Sequence, residues 1–217
     1  IVNIGIPSGL QGLSRNATTF IMFAVLARTM DAEFAIPSFV IVTNLNQYAL
    51  MPGLAVGTAA ATLSGMNLGA KQYDRAEASG RATAILGAGI MLGISLILII
   101  FASPFINFFL DAPNPDVVRI GTIFLIIVGI SEPFHAVAII FSRTMQGAGY
   151  TKKPFYITFY SWVVIRVSVA IILGLVFGMD STGVWIAISV TNVISGLWAY
   201  SLFKQGYWKN VKIYGVS

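Results

Sequence analysis

Apolar residues run along the 217-residue chain in six long blocks, each closed by a short cluster of charge, proline or glycine. The blocks predict helices at about 4–27, 36–66, 75–102, 116–145, 154–177 and 184–203, followed by a basic, aromatic tail at 204–217. Each block reaches the ~20 residues with which a helix crosses a ~30 Å hydrocarbon core. Pro7 falls in the first turn of the first block, where a missing N–H is harmless. Arg28, Asp31 and Glu33 mark its exit loop. Pro52 lies inside the second block and predicts a kink. The third block stops at Ser103 and Pro104, and the segment 105–115 begins amphipathic and ends in the breaker run Asp111 to Pro115. Asn114 and Pro115 suit the N-cap and N1 positions of the fourth helix. Turns at Gln146 to Lys153 and Gly178 to Gly183 bound the fifth.

Small residues add a second pattern. Gly53, Gly57, Ala61, Gly65 and Gly69 recur every fourth position, and Ala76, Gly80, Ala84 and Ala88 repeat the spacing after a polar turn. Residues i and i+4 share a helix face, so the two ladders predict a hairpin whose backbones pack closely, the packing that joins helices in lipid. Asp74 and Glu77 have capping-box spacing, and Glu77 and Arg81 the spacing of an i,i+4 ion pair.

Composition places this pattern in a membrane. Hydrophobic residues make up 57% and charged residues 10% of the chain, and mean hydropathy is +0.83, whereas soluble domains are roughly 25% charged. Nine basic residues (Lys71, Arg75, Arg81, Arg143, Lys152, Lys153, Lys204, Lys209 and Lys212) fall on one side of the six-span topology, and only Arg28 and Arg119 on the other, beside Asp31, Glu33, Asp111, Asp116 and Asp180. The positive-inside rule then puts both ends in the cytoplasm of a plasma-membrane protein. Tyr207, Trp208 and Tyr214 beside the tail lysines fit an interfacial belt. The net charge of +5 therefore needs no nucleic-acid partner. The chain starts at Ile1 and runs almost directly into an apolar block, which predicts a fragment of a longer protein.

No enzyme chemistry emerges. There is no cysteine, no phosphate-binding loop and no metal-ligand spacing, and His135 is the single histidine. Asn16 to Thr18 matches a glycosylation sequon but lies inside a span. The informative groups are polar ones about ten residues into a span, ~15 Å deep: Arg15 and Asn16, Asn44 and Gln47, Glu132 and His135, Arg166, and Asn192. A charge facing lipid at that depth costs at least ~2.5–3.5 kcal/mol, so these groups face inward. They form either a polar cavity wall or interhelical ion pairs such as Glu132 with Arg166 or Arg15. Glu132 is the only acid deep within a span, and Pro133 after it frees a backbone carbonyl one turn earlier.

The run from Met51 and Pro52 through Gly57, Gly65, Gly69 and Ala70 to Arg75 and Ala76 resembles the multidrug and toxic compound extrusion (MATE) transporters, at the junction of the second and third helices of a six-helix half. The opening Ile4 to Gln11 is similar to the start of that family's second half, and Gln146 to Pro154 to its turn between the tenth and eleventh helices. Gln146 and Tyr150 depart from the arginine and aspartate common there, and the first span lacks the carboxylate many members carry, with Arg15 near that level. The resemblance implies an all-α membrane protein: a six-transmembrane-helix bundle forming one lobe of a pseudo-two-fold twelve-helix transporter. It implies a missing N-terminal half as partner, H⁺ or Na⁺ as coupling ion with no other cofactor, and small organic, often cationic substrates. A flippase of lipid-linked saccharides and a non-transporting membrane scaffold are the alternatives. The charge asymmetry carries its own test: single cysteines replacing Lys71 and Asp111 label from opposite sides of the membrane, and labelling of both from outside overturns the orientation.

Overall fold

The computed structural model describes residues 2–110, 112 and 114–210; Asp111 and the tail beyond Asn210, with Lys212 and Tyr214, lie outside the described residues. Helices occupy all six predicted stretches, and the described residues contain no strand. They are α1 (Val2–Leu26), α2 (Ala32–Gly69), α3 (Tyr73–Ile100), the short α4 (Ala102–Phe108), α5 (Pro115–Gly147), α6 (Lys152–Val176) and α7 (Asp180–Gln205), followed by a 3₁₀ turn at Tyr207–Asn210. By length and composition α2, α3, α5, α6 and α7 are apolar enough to cross a membrane. At 25 residues α1 is long enough as well, but Gln11, Arg15, Asn16 and its hydroxyl residues leave it outside that set.

The interior is organised around α5, where 18 of 33 residues are buried against 6 of 28 in α3. On α3, Ile85, Leu86, Leu92 and Ile100 point outward, which suits a helix whose solvent is lipid. Asn114 caps α5 as its sequence predicts, its side chain accepting from the N–H groups of Asp116 (3.1 Å) and Val117 (3.3 Å), with Pro115 at N1. The start of α3 differs from expectation. Its N-cap is Gln72, without a side-chain cap bond, and Glu77 is engaged instead by Arg81 and by Lys209 from the tail.

The glycine ladder of α2 does not run down one face. Four residues advance a helix by about 40° past a full turn, so sixteen residues rotate the ladder through roughly 160°. Gly53 and Gly57 are buried, Ala61 and Gly65 half-buried, and Gly69 exposed with no atom near its Cβ position. The buried stripe is Gly53, Gly57, Ala60, Ser64 and Leu68. The two ladders also do not chiefly grip each other. Gly53 faces Met91 of α3, but Gly57 meets Ile139 and Arg143 of α5, Gly65 meets the Gly147 carbonyl, and Gly80 of α3 meets Thr144 of α5 and Phe203 of α7. Both open onto α5, because small residues on two neighbouring helices leave room for a third, bulkier one.

Two apolar cores result. The first contains Phe39, Leu45, Phe124, Val128, Trp185 and Ile188; the second contains Ala60, Ala84, Ile140, Phe141, Phe203 and Trp208. Between them α5 presents Ser131, Glu132 and His135, and α7 presents Thr191, Asn192 and Ser195, all buried. Both ends of the bundle are tied by contacts remote in sequence. Asp31 accepts from the Ser181 N–H (3.2 Å) and hydroxyl, while Asp180 accepts from the Met30 N–H (3.0 Å). These side chains supply partners that a helix start lacks, so α7 begins four residues before the predicted Val184. At the other end Gly206, with φ 72°, turns the chain back. Trp208 is fully buried, stacked on Phe203 at 5.1 Å and donating to the Phe203 carbonyl at 2.9 Å. It closes the second core and does not form an interfacial belt; Tyr207 is the exposed ring.

The closest helix approach gives a stability test. A Cβ on Gly147 would stand 2.1 Å from the Ala61 carbonyl oxygen, whereas one on Gly69 meets nothing within 4 Å. Gly147→Ala therefore costs about 1–3 kcal/mol through forced helix separation, and Gly69→Ala is neutral or slightly stabilising. Thermal unfolding midpoints of the detergent-solubilised full-length protein check this; equal midpoints for the two variants would refute the packing.

Candidate functional site

A cavity of about 350 Å³ lies in the polar layer between the two cores. Helix α1 contributes Arg15, Asn16, Thr18 and Thr19; α2 contributes Thr43, Asn46, Gln47 and Leu50; α5 contributes Glu132 and His135; α6 contributes Trp162 and Arg166; α7 contributes Asn192. Seven of the eight polar residues singled out in the sequence thus share one wall. Asn44 is the exception. It is exposed and does not line the cavity, because the lining residues of α2 follow the i, i+3, i+4, i+7 stripe from Thr43 and one residue on is ~100° away.

Arg166 is the anchor of the site. It is 6% exposed, and its Nε donates to Thr191 Oγ1 at 2.9 Å while an Nη donates to Asn192 Oδ1 at 2.8 Å. Asn192 Nδ2 donates onward to Ser131 Oγ (3.1 Å), whose hydroxyl donates to the Val128 carbonyl (2.8 Å). The chain of bonds joins α6, α7 and α5, each link polarising the next. The Arg166 guanidinium also lies over the Trp162 ring, 3.9 Å from its centroid, and that of Arg15 lies over the same ring at 5.4 Å. Cation–π contact contributes ~0.5–2 kcal/mol, less than the several kcal/mol that burying an ion costs, so the hydrogen bonds to Thr191 and Asn192, with Glu132 within electrostatic reach, supply the rest at Arg166.

Glu132 is 3% exposed and pairs with His135, Nδ1 to Oε2 at 3.4 Å. The predicted ion pair of Glu132 with Arg166 or Arg15 does not form: among the described residues neither arginine has a carboxylate within 4.0 Å. Arg166 turns instead to α7, and Glu132 finds its partner one turn along its own helix. His135 Nε2 and Arg15 Nε are buried without a hydrogen-bond partner among the described residues.

The surroundings of the cavity are asymmetric. Phe39 and Phe124 line it on one side and stack with Trp185, with centroids 3.9 Å apart for Phe124–Trp185 and 5.8 Å for Phe39–Trp185. Trp185 in turn lines a second cavity of about 300 Å³ at the end of the bundle that carries Asp31, Asp116 and Asp180. The stacked rings therefore stand between the two cavities. On the other side Arg15 is shared with a smaller cavity of about 130 Å³ lined by Gln11, Arg143 and Gln146. Gln146 donates to Gln11 (2.9 Å), and Gln11 donates to Thr158 (2.5 Å), linking α5, α1 and α6.

Sequence reasoning missed Trp162, Asn46, Ser131 and Thr191. Trp162 stands four residues before Arg166, the spacing of a shared face, and the three others flank Gln47, Glu132 and Asn192. The segment Phe159–Arg166 is wound as a wide helix with i→i+5 bonding, as is Ile171–Val176, a geometry that recurs at functional sites. Its Val- and Ile-rich sequence carries no signal for it.

Comparison with known proteins agrees with this architecture. The MatE family profile matches residues 7–172. The chain is 26% identical over 208 residues to an uncharacterized transporter, YisQ, of Bacillus subtilis, covering 96% of this chain and 45% of the relative. It is 24% identical over 209 residues to a probable multidrug resistance protein, NorM, of Thermotoga maritima, covering 96% and 44%. In three dimensions it superposes on a MOP superfamily transporter from Pyrococcus furiosus with a TM-score of 0.89 at 20% identity, covering 94% of this chain and 45% of that one. The chain spans about half the length of the curated relatives it matches. A helical lobe of this shape, with five helices apolar enough to span a bilayer and a profile match over most of its length, belongs to the MatE family of multi-pass membrane transporters, which are not enzymes.

Proposed function

We propose that this chain is the C-terminal six-span lobe, α1 included, of a secondary active exporter of organic compounds. The observation that carries the reading is the polar cavity of about 350 Å³ held between two apolar cores. Such a lobe lines half of a central site, and an N-terminal half of the same transporter supplies the other wall. Alternating access then follows from rocking of the two halves about the site. The basic turns around Lys71 and Lys152 face the cytoplasm together with both ends of the chain, as the charge asymmetry supports.

The coupling ion in this reading is H⁺, with Na⁺ as the competing choice. Glu132 and His135 share one hydrogen-bond position, and the imidazole's other nitrogen is unpartnered. In this reading the pair is where a proton enters, and taking one up changes the charge of the cavity, which is what a proton-driven exchange requires. A second reading, flipping of lipid-linked saccharides, is favoured by the arginines around the site: Arg15 and Arg166 line the main cavity and Arg143 the adjoining one. A purely structural scaffold has no use for an unpartnered buried arginine nitrogen and histidine nitrogen in one cavity.

Glu132→Gln tests the assignment in the complete transporter. It keeps the shape and removes the charge, so export in vesicles falls by about tenfold or more while the variant stays folded, with an unchanged elution profile and unfolding midpoint. Full export by a well-folded variant across the working pH range refutes the coupling role. Poor folding of Glu132→Gln identifies a structural role for its contact with His135 instead.

A further inference from the structure

Among the described residues of this lobe, the charges around the cavity do not balance. Arg15 and Arg166 both lie over Trp162, and Arg143 sits near enough to Arg15 for the two positive charges to repel. Against these three guanidinium groups stands one carboxylate, Glu132, which is within electrostatic reach of Arg166 but bonded to His135. Asp116, Asp180 and Asp31 lie in the other cavity, across the Phe39–Phe124–Trp185 stack. Arg166 is satisfied by the neutral oxygens of Thr191 and Asn192. Arg15 is not: its guanidinium makes no hydrogen bond or ion pair among the described residues, and its Nε is fully buried.

An arginine held in this way is incomplete. Its planar fork presents donors in the geometry of a carboxylate, sulfonate or phosphate, and charge-assisted bonds of that kind are among the strongest available in a site of low dielectric. The indole beneath it and the apolar side chains of Met22, Leu50 and Val128 on the same cavity wall offer a surface for a ring or an acyl chain next to the acidic group.

We propose that Arg15, with Arg166 and Trp162, forms a subsite for an anionic group attached to an apolar or aromatic body, so that the ligand of this lobe is an organic anion or zwitterion and not a simple cation. The proposal deepens the transport reading and rests on it for physiological meaning, but binding is measurable without transport. The anionic group belongs either to a soluble compound or to a lipid headgroup.

The test uses the full-length transporter in phosphatidylcholine nanodiscs and two probes, naphthalene-2-sulfonate and the cation tetraphenylphosphonium. Arg15 makes no hydrogen bond or ion pair among the described residues, only the contact with Trp162, so Arg15→Gln folds, with an unchanged elution profile as the check. It binds the sulfonate about tenfold or more weakly and the cation as well as or better than before, while Arg15→Lys retains part of the sulfonate affinity. Competition by phosphatidic acid included in the nanodisc identifies a lipid headgroup as the source; no competition identifies a soluble anion. Equal sulfonate affinity in wild type and Arg15→Gln overturns the subsite, as does tighter binding of the cation than of the sulfonate by the wild type. If Arg15-dependent sulfonate binding persists in a protein that exports nothing from vesicles, the transport reading fails and the subsite stands. If export proceeds with no role for Arg15 in anion binding, only the subsite fails.

Discussion

A buried guanidinium in a lipid-embedded bundle must find its hydrogen-bond acceptors within the protein, because hydrocarbon offers none. Arg166 obeys that constraint with neutral acceptors from α7, Thr191 and Asn192. Thr191 can accept because its own hydroxyl proton goes to the carbonyls of Ala187 and Ile188. Asn192 accepts through its oxygen and donates to Ser131 on α5. One arginine thereby fixes the relative depth of three helices, and the depth it fixes is the level of the cavity. Satisfying Arg166 without a carboxylate leaves Glu132 to its neighbour His135, the arrangement on which the proposed chemistry depends.

The bundle can hold a cavity at its centre only if its helices are gripped firmly elsewhere, and glycine makes this possible at a few specific places. Gly147 stands against the Ala61 backbone, Gly196 against the Phe134 carbonyl and Gly183 against the backbone of Gly174. In each case a methyl group would overlap backbone, which cannot move aside as a side chain can. These contacts hold α5 against α2 and α7, and α7 against α6. With apolar burial giving little drive for association in lipid, close backbone contact and interhelical hydrogen bonds take over that role.

How much of this was readable in the chain follows from which signals are local. Helix placement was legible because blocks of apolar residues and the Asn114–Pro115 cap act within a few residues. The level of the polar layer was legible too, since helix rise converts position into depth. Facing was harder. Gly69 and Asn44 were grouped with residues that end up elsewhere, Gly69 because an every-fourth ladder precesses around the helix and Asn44 because depth says nothing about azimuth. Partner choice was not legible. Nothing in the spacing of Glu132 and Arg166 shows that the arginine finds Thr191 and Asn192 first, or that Glu77 is drawn from a capping box to Lys209, 132 residues away. Trp208 shows the same limit: beside lysines it reads as an interfacial ring, yet the left-handed turn at Gly206 folds it onto Phe203.

The two ends of the lobe complete the mechanical picture. Asp31 and Asp180 exchange bonds across the starts of α2 and α7, and Lys209 with Trp208 fastens the tail to α3 and α7. A body tied at both ends and across its middle suits the rocking lobe of the proposed mechanism. In that mechanism its internal bonds persist through the cycle and contribute nothing to the difference between states. What remains free to differ in that mechanism is small: the charge of the Glu132–His135 pair, and the partner of Arg15. These groups lie in one cavity, bounded by stacked rings towards the acidic end and sharing Arg15 with the adjoining cavity of Arg143 and Gln146. A ligand that neutralises Arg15 and a proton that neutralises Glu132 shift the cavity's charge in opposite directions, so in the proposed mechanism each alters the electrostatic cost of the other within a single shared site.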